Sequence, residues 1–335
     1  MKRWQIELIT GVGVFVLGLI LGHFFWFGAG GNSLILIREK SNDQPLINPI
    51  ISCDLGIGGD SFTEMNSLKD QLNSQIYIFK QNHQASAVSI YFRRLNAGRW
   101  FEINGEDLYR PASLLKVMTA IATMRYAEDH PGYLNQYVTY HDQVFNDPDE
   151  AKMGVLPLQP GGSYQVSALI SRLLTYSDNG ANNLLIDSLP DSAVEDVGQD
   201  LNINPPEDTS APFMSGRIYS LLFRVLYNAS YLNSQDSEHL LEILSNATFT
   251  KGLVAGVPSG VKVAHKFGLR TPTDLPPSEA NADNELHDCG IVYYSKHPYF
   301  LCVMTRGDNQ VALEGVIKTI SQITYEWVDN FWQNQ

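Results

Sequence analysis

Ser113 and Lys116 stand three residues apart at the head of a segment whose apolar residues Leu114, Leu115, Val117, Met118, Ile121 and Met124 recur at helical spacing. Positions three apart share a helix face, so the hydroxyl and the amine are neighbours. A lysine takes the proton of such a hydroxyl when burial or a nearby cation depresses its pKa, which turns the serine into a nucleophile for an acyl carbon. Lys116 sits in an apolar neighbourhood where an unpaired ammonium is costly. Alone, a Ser and Lys at this spacing are most often a helix cap and a solvated charge.

Two later stretches carry complementary groups. Ser177, Asp178 and Asn179 lie between a helical run that ends at Tyr176 and one that restarts at Ala181. Their composition is ordinary for a turn. A turn projecting between two helices would let Ser177 relay a proton to a leaving nitrogen and Asn179 hold a substrate amide, with Asp178 bracing the loop. Further on, His265, Lys266, Phe267 and Gly268 close an expected strand that begins at Val261. Lys266 would offer positive charge to a substrate carboxylate, and Gly268 would let a substrate backbone approach the strand edge. An edge-strand lysine that discourages sheet pairing is the plainer account of Lys266, and His265 reads as structural.

Taken in order, the three stretches resemble the S-x-x-K, S-D-N and K-T-G set of class A β-lactamases and penicillin-binding proteins. The resemblance covers roughly residues 64 to 334 and includes Tyr109 to Ser113 and Tyr176 to Leu185. It implies a two-lobed α+β fold, attack by Ser113 on an acyl carbon, Lys116 as general base and Ser177 as proton relay. Asn179, Lys266, Gly268 and Arg270 would contact substrate. The backbone N–H groups of Ser113 and of Leu269 or Arg270 would form the oxyanion hole. The chain departs from the family twice. No Glu-x-x-x-Asn stands in Leu201 to Ser210, where Glu207 is the sole glutamate, and Phe267 replaces the threonine of the third motif. Without the water-activating carboxylate, acylation can proceed while hydrolysis stalls. The expected activity is therefore β-lactamase-like amide hydrolysis. A D,D-carboxypeptidase with slow deacylation and an inactive peptidoglycan- or β-lactam-binding sensor are the alternatives.

The elements needed to assemble such a site are legible. A helix is expected over Phe62 to His83, a hairpin from Ala85–Tyr91 and Trp100–Ile103 around the turn Asn96 to Gly98, and a helix from Ser113 to about Ala127. Helices follow at Val166–Tyr176, Asn183–Leu189, Ser215–Tyr227 and Glu238–Asn246. Strands are expected at Val261–Phe267, Cys289–Tyr294 and Tyr299–Met304, then a closing helix over Val311–Trp332. An antiparallel sheet made from both chain ends, with helices packed on it and an all-helical lobe inserted at about 130–260, satisfies that order.

The chain has 335 residues, 44% hydrophobic and 18% charged, enough for a full core in residues 63–335. Its net charge of −13, without any basic stripe, argues against nucleic acid as a partner. Lys2 and Arg3 precede a nearly uncharged stretch from Leu8 to Gly31 that ends in Phe24 to Phe27. That length and aromatic exit suit a retained single-pass membrane anchor over residues 1–31, with the catalytic part outside the cytoplasm. Residues 32–62 read as a linker or wrapping arm. Of the cysteines, Cys53 is free to pair with Cys289 or Cys302, or the latter two are buried reduced thiols. No metal or organic cofactor is implied, and a monomer is expected, with a β-lactam or cell-wall peptide and the membrane as partners.

Overall fold

Five antiparallel strands in the order β2-β1-β7-β6-β5 form the centre of the molecule. They are β1 (Ala87–Arg94), β2 (Trp100–Ile103), β5 (Val263–Arg270), β6 (Asn284–Val292) and β7 (Tyr299–Gly307). The structure is a computed structural model and describes residues 44–49, 63–141, 155–204, 212–271 and 283–334. Strands β1 and β7 read as largely apolar runs because both faces of the sheet are covered. Ile90, Phe92, Leu301 and Val303 pack under two helices, α1 (Asn66–Gln81) and α8 (Gln310–Gln333). Tyr91, Ile291, Phe300 and Met304 pack on the other face against Val117 and Phe223 of the helical lobe.

That lobe contains α2 (Lys116–Asp129), α3 (Val166–Thr175), α4 (Asn179–Ser188), α5 (Ala193–Asp200), α6 (Gly216–Tyr227) and α7 (Ser234–Leu244). A short hairpin of β3 (Tyr137–Thr139) and β4 (Ser163–Gln165) lies beside it. The chain ends build the sheet and the middle builds the lobe, as the order of elements predicts. Boundaries moved where side-chain caps decide them. Helix α4 begins at Asn179 rather than Asn183 because the Asp178 carboxylate accepts from Ala181 N at 2.9 Å. Helix α7 begins at Ser234 rather than Glu238, capped by Asn233 at Asp236 N. Strand β6 starts at Asn284, five residues before Cys289, because polar Glu285, His287 and Asp288 are buried in it and mask its apolar pattern.

Cys289 and Cys302 face one another in the β6–β7 register and are joined as a disulfide. Pairing of Cys53 with either is thereby overturned: neighbours across a ladder need no other partner. Residues 44–49 behave as an arm docked on the lobe. Leu46 and Ile47 are buried, and their N–H groups donate to the Glu238 carboxylate at 2.9–3.0 Å. Tyr293 OH donates to Leu46 O at 3.0 Å. Among the described residues no helix is long and apolar enough to cross a membrane. The stretch from Leu8 to Gly31 lies outside the described residues, as do Cys53 and Glu207.

Candidate active site

The segment leading to Ser113 is fixed before the serine is reached. Tyr109 bridges Met214 through backbone hydrogen bonds of 2.9 and 3.1 Å. Arg110 N donates to Glu285 Oε2 at 3.0 Å, and the opposite carboxylate oxygen accepts from Arg306 Nε at 2.6 Å. Arg306 also lies over the Tyr109 ring, 4.3 Å from its centroid. His287 Nε2 donates to Arg110 O at 3.0 Å while its Nδ1 accepts from Thr305 N at 3.3 Å. Those partners require the neutral imidazole with its proton on Nε2. Burial favours the same state and lowers the His287 pKa to about 4.

Ala112 then takes a left-handed backbone, φ 48°, and Ala112 to Leu115 form a single 3-10 turn that runs into α2. For a residue other than glycine that conformation costs on the order of 1–3 kcal/mol, so the surroundings must impose it. They do so through Leu114 N on Pro111 O at 3.0 Å and the buried Tyr219 hydroxyl on Leu114 O at 3.2 Å. Ser113 is half-buried on this turn, and Lys116, one turn on, is 4% exposed.

The second stretch meets Lys116 directly. Ser177 is buried, with a left-handed φ of 62°. Lys116 Nζ donates to Ser177 O, to Ser177 Oγ at 3.2 Å and to Asn179 Oδ1 at 2.6 Å. Asp178 braces the turn as expected: besides capping α4 it accepts from Arg172 Nε at 2.7 Å. The third stretch closes the group. Lys266 Nζ donates to Ser177 Oγ at 2.8 Å, so both lysines converge on one hydroxyl oxygen. Lys266 is 1% exposed, and burial, with Lys116 adding, holds its pKa well below the usual lysine range.

Gly268 packs closely against the turn that carries Ser113. A Cβ there would lie 2.6 Å from Pro111 O and 3.1 Å from Leu114 Cγ, so a side chain at this position would collide with that turn. Arg270 lies at the end of β5 across the ladder from Glu285. His265 is structural: its Nδ1 donates to Asp288 Oδ1 at 2.7 Å, and Asp288 also accepts from Leu253 N. Glu285, His287 and Arg306 carry no sequence signal that marks them as supports of the Ser113 turn. Arg172 was detectable only as a cation one helical run before Asp178.

A serine one turn before a buried lysine, a second buried serine shared by two lysines, and a sheet edge packed on the nucleophile turn define a two-lobed serine hydrolase that works through an acyl-enzyme. The profile of the β-lactamase enzyme family matches residues 67–328, and the chain belongs to that family. A β-lactamase of Streptomyces lavendulae is 26% identical over 230 residues, 63% of this chain and 73% of that protein. Among solved structures, a β-lactamase from Chitinophaga pinensis superposes with a TM-score of 0.65 at 19% identity, over 78% of this chain and 100% of the other. An acyl-enzyme complex of a PBP-A variant with penicillin G gives 0.63 at 20% identity, over 79% and 97%.

Proposed function

We propose that Ser113 is the nucleophile of a membrane-anchored, extracytoplasmic hydrolase that is acylated by β-lactams or by peptides of the acyl-D-Ala-D-Ala type. The observation that carries this reading is the convergence of Lys116 and Lys266 on Ser177 Oγ beside the turn that holds Ser113. In its neutral form Lys116 keeps two of its contacts to Ser177 and Asn179 as a donor and takes the Ser113 proton on its lone pair as the Oγ–C bond forms. Because Ser177 Oγ accepts from two amines, its own O–H is left to point at the leaving nitrogen. Proton delivery there completes cleavage of the C–N bond, and Lys116 restores the Ser177 proton. Asn179 would hold a substrate amide, and N–H groups on the β5 edge past Gly268 would polarise the acyl oxygen. The apolar stretch from Leu8 to Gly31 supports anchoring.

The absence of Glu-x-x-x-Asn from Leu201 to Ser210 favours slow deacylation, so the acyl-enzyme accumulates as in a penicillin-binding peptidase. Incubation with a fluorescent penicillin, followed by gel and intact mass, tests both points. A label that persists on the wild type and is absent from Ser113→Ala is expected. A label that decays rapidly replaces the peptidase-like reading with an efficient β-lactamase. No label on the wild type leaves only a binding or sensing role.

A further inference from the structure

We propose that residues 44–49 are a strap across the seam between the helical lobe and the sheet, and that its docking sets how Ser177 is aligned with Ser113. This deepens the proposed function and rests on acylation at Ser113. The site lies on that seam: Ser177 stands in the lobe before α4, and its Oγ accepts from Lys116 of α2 and from Lys266 of β5. Whatever spans the seam elsewhere bears on the same alignment.

The strap holds both sides. On the lobe, Leu46 N donates to the two Glu238 carboxylate oxygens at 3.0 and 2.9 Å, and Ile47 N donates to Glu238 Oε2 at 3.0 Å. Asn48 N donates to Tyr227 O on α6 at 2.6 Å. On the sheet, Tyr293, the residue after β6, donates its hydroxyl to Leu46 O at 3.0 Å. Asn96, in the turn between β1 and β2, accepts at Oδ1 from Asn48 Nδ2 at 3.1 Å and from Tyr227 OH at 2.8 Å. It is itself fixed by donating to Lys296 O at 2.7 Å. Leu46 and Ile47 are 3% and 1% exposed and pack in the core shared by lobe and sheet. Glu238 is 7% exposed, so its carboxylate depends on the strap's N–H groups in place of water.

Helix α7 carries this hold toward the site. Glu238 lies in its first half, and past its end Thr248 donates through N and Oγ1 to Thr175 O at 2.9 and 3.0 Å, two residues before Ser177. Phe249, next in the chain, stacks on Phe267 of β5 with centroids 4.4 Å apart. Helix α7 is thus tied to the sheet twice, by the strap in its first half and by the aromatic pair beyond its end. Releasing the strap removes one tie and lets the Ser177 turn shift against the Ser113 turn. Catalytic geometry is steep in position: a displacement of about 1 Å costs about 10²-fold. Glu238 and Tyr293 are positioning residues, one on each side of the seam.

The test uses the full chain and follows two quantities. One is amide hydrogen exchange at Leu46 and Ile47. The other is acylation of Ser113 by a penicillin over a range of concentrations, which separates the acylation rate constant from the dissociation constant of the first complex. Glu238→Ala should speed exchange at both amides and lower the acylation rate constant by about tenfold or more, with the dissociation constant within about twofold. Tyr293→Phe should do the same to a smaller degree. Because both act through one strap, the double variant should be no slower than Glu238→Ala alone, whereas independent defects would multiply. Exchange that stays slow in both variants overturns the proposal. So does faster exchange with an unchanged acylation rate constant, a change confined to the dissociation constant, or multiplication of the two effects. If Glu238→Ala does not fold, Tyr293→Phe decides on the same readouts. Absence of penicillin labelling on the wild type refutes acylation at Ser113 and the strap's role with it. A labelled wild type whose variants acylate equally fast refutes the strap alone.

Discussion

Two cations flank the turn that carries Ser113, half-buried Arg306 and buried Lys266, and they are held in opposite ways. Arg306 on β7 donates to the Glu285 carboxylate at 2.6 Å, and that carboxylate also accepts from Arg110 N. Lys266 on β5 donates to a hydroxyl and a carbonyl and faces a ring. A cation buried against a carboxylate keeps its charge and fixes geometry, whereas a cation buried among neutral acceptors has its pKa pushed down and its proton made transferable. The first arrangement is structural support; in the proposed mechanism the second holds Ser177 in place. The turn that carries Ser113 is built on the former and faces the latter.

The most severe way to break the reactive side is Lys116→Ala. Acylation of Ser113 by a penicillin should fall by about 10²–10⁴-fold, the range of a lost general base, and stopped-flow or mass-resolved labelling measures it. An unchanged rate would remove Lys116 from the chemistry. The comparison itself is sharpened by pairing Glu285→Ala with Lys266→Met. Glu285→Ala leaves Arg110 N without its acceptor and takes one partner from half-buried Arg306, and should cost about 1–3 kcal/mol in denaturant unfolding. Lys266→Met replaces an amine without a carboxylate partner by an apolar chain of similar length, and should leave stability unchanged or higher while slowing acylation by about 10²-fold. Equal losses of stability in the two variants would abolish the distinction.

The most gradual effect is a pH dependence on the structural side. His287 titrates at about 4 when folded and at its ordinary 6.5 when unfolded, so between those values the unfolded chain binds more protons. Its contribution therefore rises as pH increases from about 4 to 6.5 and is flat above. The span is about 3 kcal/mol, from about 1.4 kcal/mol per pKa unit. The wild-type minus His287→Gln difference in unfolding free energy should show that slope, and a flat difference would place the imidazole charge elsewhere.

Much of this was open to the sequence because it is local. The helical spacing after Ser113, the turn between two helical runs at Ser177, and the shift to strand pattern after residue 260 depend on neighbours a few positions apart. The supports were hidden because they are charges inside a strand. Glu285, His287 and Asp288 read as solvent-facing residues until β6 is seen with both faces covered. At Gly268 the spacing shows that something must come close, but not that the Pro111 to Leu114 turn is what packs there.

What the amino-acid order determined by itself is which groups exist and in what local geometry. Ser113 is one turn before Lys116, Asp178 is positioned to cap a helix, and a phenylalanine follows Lys266. Only the tertiary structure decided that both amines reach the same hydroxyl, 3.2 and 2.8 Å from it, across 61 and 89 residues of chain. It also decided that Phe249 closes over Phe267. The physical reason is that burial and long-range approach set protonation and access. Both are properties of the packed interior and have no counterpart in spacing along the chain.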